Sequence, residues 1–175
     1  DSYGGNLENR ARFLMEALRE VRSVVGPDFP VLVKMNSEDC LEGGLVLEDA
    51  VQFGAMLEEG GIDAIELSGG TFLSGNLSPS RSGITSEEKE AYFREAAKLY
   101  KDKVNIPLIL VGGNRSFEMA ELLINEGYAD YISMSRPFIR EPDLIKRWAS
   151  GDLEPAACLS DNKCFGPAMS GQGIY

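Results

Sequence analysis

Four short apolar runs, separated by stretches of helical period, constrain the fold of this chain more than any other feature. The first, Val31-Leu32-Val33-Lys34-Met35, follows Pro30, and the others cover residues 62–67, 106–111 and 130–134. Runs this short, with little polar alternation, are the pattern of buried parallel strands. Pro107 stands near the start of the third run, where a strand tolerates the missing N–H. Helices are predicted over residues 46–59, 86–101, 116–126 and 143–150. An earlier helix places Leu7, Ala11, Leu14, Leu18, Val21 and Val25 on one stripe, with Asn6 as its N-cap and Gly26 as its stop. Residues 68–85, rich in Gly, Ser and Pro, read as a long loop.

Successive strand-then-helix units predict a parallel sheet with right-handed crossovers. Two architectures fit: an open doubly wound sheet, or half of an eight-fold βα barrel. The first needs a Gly-x-Gly-x-x-Gly turn behind a strand, with an acidic residue further on. No strand here leads into that turn. A barrel places its chemistry at the C-terminal ends of the strands, with a phosphate site behind the last two. The informative residues sit there, so the expected fold is α/β, half of a (β/α)8 TIM barrel.

Composition narrows the function. Of 175 residues, 17 are Lys or Arg and 28 are Asp or Glu, a net charge of −11. Broad nucleic-acid or anionic-membrane surfaces need the opposite balance, although one local cationic pocket is compatible with it. The chain contains no His, which removes Ser-His-Asp and Cys-His sites, His-bound zinc and the usual neutral-pH proton shuttle. Cys40, Cys158 and Cys164 are too few for a disulfide scaffold and point to a reducing, cytoplasmic setting. No apolar run approaches the roughly 18 residues of a membrane span. The opening on Asp1 and the close on Gly173-Ile174-Tyr175 suggest a piece of a longer protein.

Three segments carry candidate chemistry. The third strand runs into Gly112-Gly113-Asn114-Arg115-Ser116. Paired glycines let backbone N–H groups approach an anion, and the helix behind them adds its dipole. The same residues also read as a tight βα turn with Ser116 as an ordinary N-cap. The fourth strand ends in Ser135-Arg136-Pro137-Phe138, where Arg136 is either a bidentate phosphate ligand or a salt bridge at the barrel rim. Two neighbouring strands with anion-friendly ends favour phosphate. Lys34 lies inside an apolar strand, and a buried ammonium needs a partner. That partner is either a ligand or Glu66, which occupies a similar place on the next strand.

Taken together, these segments resemble the old yellow enzyme family of flavin-dependent NAD(P)H oxidoreductases, in the half of the barrel after the fourth strand. The opening Asp1-Ser2-Tyr3-Gly4-Gly5-Asn6-Leu7-Glu8-Asn9-Arg10 is similar to that family's long Tyr-Gly-Gly signature. Further matches are Lys34-Met35-Asn36 with Asp39 and Glu42-Gly43-Gly44, then Leu67-Ser68-Gly69-Gly70, Ile106-Pro107 to Gly112-Gly113, and Ser135-Arg136-Pro137-Phe138-Ile139. A relative of dihydroorotate dehydrogenase would share Gly112, Gly113 and Arg136 but leave the Tyr3 to Arg10 signature unexplained.

The resemblance implies strands five to eight of an FMN-binding barrel over residues 1–152, and a truncated post-barrel tail over residues 153–175. It implies that Gly112, Gly113, Ser135 and Arg136 cradle the FMN phosphate, with Ser135 standing where the family usually has Gly. It places Lys34 near flavin N1 and O2, where a cation stabilises the charge gained with hydride. It implies NAD(P)H as reductant and an activated alkene, typically an enone, as the small-molecule substrate. The carbonyl-binding His/His or His/Asn pair of such enzymes, and the proton-donating Tyr of those that have one, fall upstream of Asp1, so no catalytic residue is expected in this chain, and Tyr3 reads as structural.

Some relatives carry a 4Fe–4S cluster behind the barrel. Here Asp161 replaces the second of its cysteines, and Cys158 and Cys164 alone cannot form a four-thiolate site. In loop 68–85, Phe72, Leu73 and Arg81 are candidates to line the pocket or meet NAD(P)H, or else belong to a mobile surface loop; in a half-barrel the loop is expected to be disordered or rearranged. The alternative to an enzyme part is an inactive half-barrel whose exposed sheet edges pair, with a homo-oligomer as the expected result.

Overall fold

The computed structural model describes residues 2–173; Asp1, Ile174 and Tyr175 lie outside them. Four parallel strands form one sheet: β1 (Leu32–Asn36), β2 (Ala64–Ser68), β3 (Leu108–Leu110) and β4 (Tyr131–Ile132). Their spatial order is the chain order, with no switch point. The first four helices are α1 (Leu7–Val25), α2 (Leu47–Glu59), α3 (Arg94–Lys101) and α4 (Phe117–Asn125). Three short helices follow: α5 (Arg136–Arg140), α6 (Leu144–Ala149) and α7 (Phe165–Met169).

The register explains which architecture the chain adopts. Ile65, Leu67, Leu108 and Leu110 point to one face and are fully buried, with Val33, Met35 and Ile132 packed around them. Leu18, Ala50, Leu57, Ala96, Ala97, Tyr100, Met119 and Leu123 of α1 to α4 cover that same face. The other face carries Leu32, Lys34, Asn36, Glu66, Ser68, Ile109 and Tyr131 in matching register and has no helix layer among the described residues. A doubly wound sheet has helices on both faces, whereas a barrel has them on the outside only. The one-sided layer and the sequential strand order are those of a barrel wall. A fully buried Leu or Ile contributes about 1.5–3 kcal/mol, so the four central strand residues alone anchor the helices.

Local chemistry sets the ends of the elements. Asn6 Oδ1 accepts from the Asn9 N–H at 2.9 Å and caps α1, and Gly26, at φ +81°, ends it. Arg10 of the opening motif reaches Asp49 of α2 at 2.8 Å, Arg12 donates to Ser2 O at 2.6 Å, and Tyr3 Oη donates to Glu16 at 3.0 Å. That signature therefore builds the start of α1. The far end of the α1 stripe departs from expectation: Val21 and Val25 stay exposed, because no described element lies over them. Gly54 of α2 is required by packing, since a Cβ there would stand 2.8 Å from the Tyr100 ring. Burial pushes the Tyr100 phenol up, as it is fully enclosed and its hydroxyl finds only Met35 Sδ at 3.9 Å.

The helix expected over residues 86–101 is shorter. It opens with a single 3-10 turn at Glu87–Lys89, breaks at Ala91 (φ +48°) and becomes helical only from Arg94. Buried Glu90 causes the break by turning inward to other backbone groups. No described helix is long and apolar enough to cross a membrane.

Candidate functional site

At the C-terminal ends of the four strands the unlayered face becomes a cleft. Its deepest part, a cavity of about 180 Å³, is lined by Lys34 of β1, Ser68 of β2, residues 111–115 behind β3 and residues 133–137 behind β4. Lys34, Gly112, Gly113, Ser135 and Arg136, the residues singled out by sequence, all line it. Tyr92, Pro79 and Ser80 form its outer wall. A shallower trough adjoins through the shared residues Lys34, Ser68 and Pro79 and extends to Asn36.

The floor behind β3 has to be glycine. Gly112 has φ +126° and Gly113 φ +79°, and added Cβ atoms would stand 2.6 Å from Phe93 and 2.7 Å from Tyr92. Tyr92 N–H donates to Gly112 O at 3.1 Å and fixes the turn. Asn114, buried next to it, donates through Nδ2 to Leu110 O at 2.9 Å and Ser133 O at 3.2 Å, tying the ends of β3 and β4 together. Its Oδ1 is buried without a partner among the described residues. No described residue accepts from the amide N–H groups of Gly112, Gly113, Asn114, Ser135 or Arg136. Gly112, Asn114 and Arg136 are buried, Gly113 is half-buried and Ser135 is exposed, so these amides are free to donate to whatever enters the cleft.

The expected helix dipole is used differently. Glu90 Oε2 accepts from Arg115 N–H at 2.9 Å, Ser116 N–H at 3.0 Å and Ser116 Oγ at 3.0 Å. A protein carboxylate therefore caps α4, and Ser116 is a donor to that cap rather than the cap itself. The amides without an acceptor among the described residues lie before the helix, in the glycine turn.

The cationic side of the cleft is built from arginines. Arg136 is 9% exposed; its Nη1 donates to Arg81 O at 2.9 Å and to Asn162 Oδ1 at 2.5 Å. Arg115 donates to Ile84 O at 3.1 Å and Ala156 O at 2.9 Å. Arg81 stacks on Tyr92 and Phe93 at 4.4 and 5.2 Å from the ring centres. Among the described residues none of the three guanidinium groups meets a carboxylate, in a chain of net charge −11. The rim salt bridge considered for Arg136 is therefore absent among the described residues. Burial raises the Tyr92 phenol, while the neighbouring Arg136 and Arg81 charges pull it partly back.

Lys34 differs from the buried lysine read in the sequence. Its side chain is 55% exposed, because the face it stands on has no covering layer, and Nζ pairs with Glu66 Oε1 at 2.7 Å. Ser133 Oγ donates to the same oxygen at 3.0 Å. Asn36 is held by Asp39 and Gly70 O, at 3.0 and 3.1 Å, so the Lys-Met-Asn motif forms the rim of the trough.

Loop 68–85 is tied down through Gly70 N–H to Glu38 O (2.7 Å) and Tyr92 Oη to Pro79 O (2.7 Å), with Phe72 and Leu73 left at an exposed tip. Arg81 belongs to the wall through its stacking and its carbonyl. The segment after α6 is integrated as well: Ala156 N–H donates to Arg115 O at 2.8 Å, and Gly83 N–H to Ser160 O at 3.0 Å. Cys158 and Cys164, both free thiols, line a second cavity of about 600 Å³ with Arg136, Arg140 and Lys163.

A one-sided βα wall whose strand ends converge on an arginine-flanked cleft is the architecture of one side of a βα barrel. The chain belongs to the NADH:flavin oxidoreductase / NADH oxidase family, whose sequence profile matches residues 1–154. It is 36% identical over 170 residues to an NADH oxidase of Thermoanaerobacter brockii, an alignment that covers 95% of this chain and 25% of that protein. A 2-naphthoyl-CoA reductase in complex with 2-naphthoyl-CoA superimposes with a TM-score of 0.84 at 30% identity, over 99% of this chain and 26% of that one. An old yellow enzyme homologue of Zymomonas mobilis shares the fold, with a TM-score of 0.65 at 24% identity over 91% of this chain and 42% of that one. Among the curated relatives named by function, the chain spans between 20% and 49% of their length.

Proposed function

We propose that this chain is the flavin-phosphate half of an FMN-dependent oxidoreductase that takes hydride from NAD(P)H and reduces an activated, enone-type alkene. In this reading β1 to β4 are the fifth to eighth strands of a (β/α)8 barrel, residues 1–152 are the half-barrel and residues 153–175 follow it. The observation that carries the reading is the cleft, lined both by backbone amides with no acceptor among the described residues and by a buried arginine with no carboxylate partner among them. A cavity of about 180 Å³ is below the ~300–1,000 Å³ of a complete small-molecule pocket. It suits a phosphate end, with the rest of the ligand over the adjoining trough. The cofactor supplies the hydride chemistry when bound.

The chain's own residues have separable tasks. Amides of Gly112, Gly113 and Asn114 on one side, and Ser135 with Arg136 on the other, would hold the phosphate. Tyr92 and the 79–80 wall keep water from those bonds, which strengthens them. Lys34, held by its ion pair with Glu66, lines the trough, where its ammonium would be available as a donor to the pyrimidine end of the flavin. The groups that orient substrate and donate a proton come from outside this chain, in a cytoplasmic protein without a 4Fe–4S cluster. The likeness to a 2-naphthoyl-CoA reductase supports a reductive reaction on a conjugated substrate.

A second reading rests on the open edges. β1 and β4 are the end strands of the sheet, so a copy on its own presents sheet edges that favour pairing as an inactive oligomer. Titration of the chain with FMN and with riboflavin, followed by flavin fluorescence, decides between them. We expect saturable FMN binding at least tenfold tighter than riboflavin. Equal affinity, or none for either, contradicts the flavin-phosphate role.

A further inference from the structure

We propose that Asn162 is a positioning residue that holds the Arg136 guanidinium in the anion cleft while leaving its charge available. The inference rests on the flavin-phosphate reading above. Asn162 lies beyond α6, on the segment read from sequence as a tail. Its Oδ1 accepts from Arg136 Nη1 at 2.5 Å, and its Nδ2 donates to Ser80 O at 2.7 Å and Ser82 Oγ at 3.2 Å. One amide therefore fixes the arginine and, at the same time, the loop that forms the outer wall.

The backbone is built to present that amide. Asn162 has φ +60° and Ser160 φ +50°, left-handed conformations that most L residues avoid and Asn adopts at low cost. Ser160 O accepts from Gly83 N–H at 3.0 Å, Ala156 pairs with Arg115, and buried Ser160 itself lines the cleft. The segment is anchored on either side of Asn162's partners.

The side chain's neutrality is the functional point. Arg136 is buried, and an aspartate in the same place would pair with it as a salt bridge. An incoming phosphate would then compete with a resident carboxylate. An amide oxygen gives the same geometric hold and leaves the positive charge uncompensated. Asn162 does not touch the proposed phosphate; it acts through Arg136.

Two variants separate this role from a merely structural one. Both variants give up the donor to Ser80 O; Asn162→Asp keeps size, left-handed tolerance and the bond to Arg136, whereas Asn162→Gly keeps only the backbone conformation. A structural role makes the Gly variant worse in every assay. The positioning role makes the two assays cross: Gly lowers the melting temperature more, whereas Asp weakens FMN binding more, roughly tenfold, with riboflavin affinity unchanged. Inorganic phosphate serves as a second probe, expected to raise the melting temperature of the wild-type chain and not of Asn162→Asp. Asp binding FMN and phosphate as tightly as wild type, or Gly proving worse for both binding and stability, overturns the proposal. If the wild type responds to phosphate and not to FMN, while Asp responds to neither, the flavin reading falls and the role of Asn162 stands. A wild-type chain indifferent to both probes overturns both.

Discussion

Replacing Arg136 by alanine is expected to weaken FMN binding by roughly a hundredfold while leaving riboflavin nearly unaffected. Truncating one member of a buried, hydrogen-bonded charge pair costs about 2–5 kcal/mol, and about 3 kcal/mol is a hundredfold in affinity. Arg136 fits that case, being 9% exposed with no carboxylate neighbour among the described residues. The variant also loses the bonds to Arg81 O and Asn162 Oδ1, which loosens the wall. Arg136→Lys controls for this, because it keeps the charge and loses the planar fork. Lysine should recover part of the FMN preference, with a melting temperature near that of the alanine variant. An alanine variant that retains wild-type FMN affinity places the phosphate elsewhere.

The second large effect is expected at Glu90, through stability rather than ligand chemistry. Its carboxylate serves the Arg115 and Ser116 amides and Ser116 Oγ from a buried position. Glu90→Ala orphans three donors at the start of α4, each costing about 1–3 kcal/mol if left unpaired, with water recovering part. A loss of about 3 kcal/mol in denaturant unfolding is expected. Glu90→Gln retains one acceptor oxygen, should lose about half as much, and should leave FMN affinity intact because the cradle amides precede the helix. Full stability in the alanine variant refutes the capping role.

The sequence was most legible where burial and local chemistry agree. The buried strand runs, the Asn6 cap and the Gly26 stop all fall within a residue or two of their expected places. All five expected site residues line one cavity, because strand ends in a parallel βα wall converge whatever else the chain does. Legibility failed where a side chain answers to a distant partner. Glu90 reads as one more charge in a solvated helix, yet it is drawn inward by backbone donors about 25 positions away and breaks that helix at Ala91. Lys34 reads as buried because its neighbours are apolar; the register puts it on the face without a helix layer. Asn162 was invisible, since its bonds span 26 residues to Arg136 and 82 to Ser80, and no local pattern announces them. Its left-handed conformation beside that of Ser160 is a signal only the fold reveals.

The most direct measurement of the central claim is the amide nitrogen–proton spectrum of the wild-type chain, titrated with FMN and with riboflavin. The amides of Gly112, Gly113, Asn114, Ser135 and Arg136 are expected to shift with FMN, and inorganic phosphate to move the same set, whereas riboflavin leaves them in place. FMN shifts confined to other residues, or identical shifts from riboflavin, would contradict a phosphate site in this cleft.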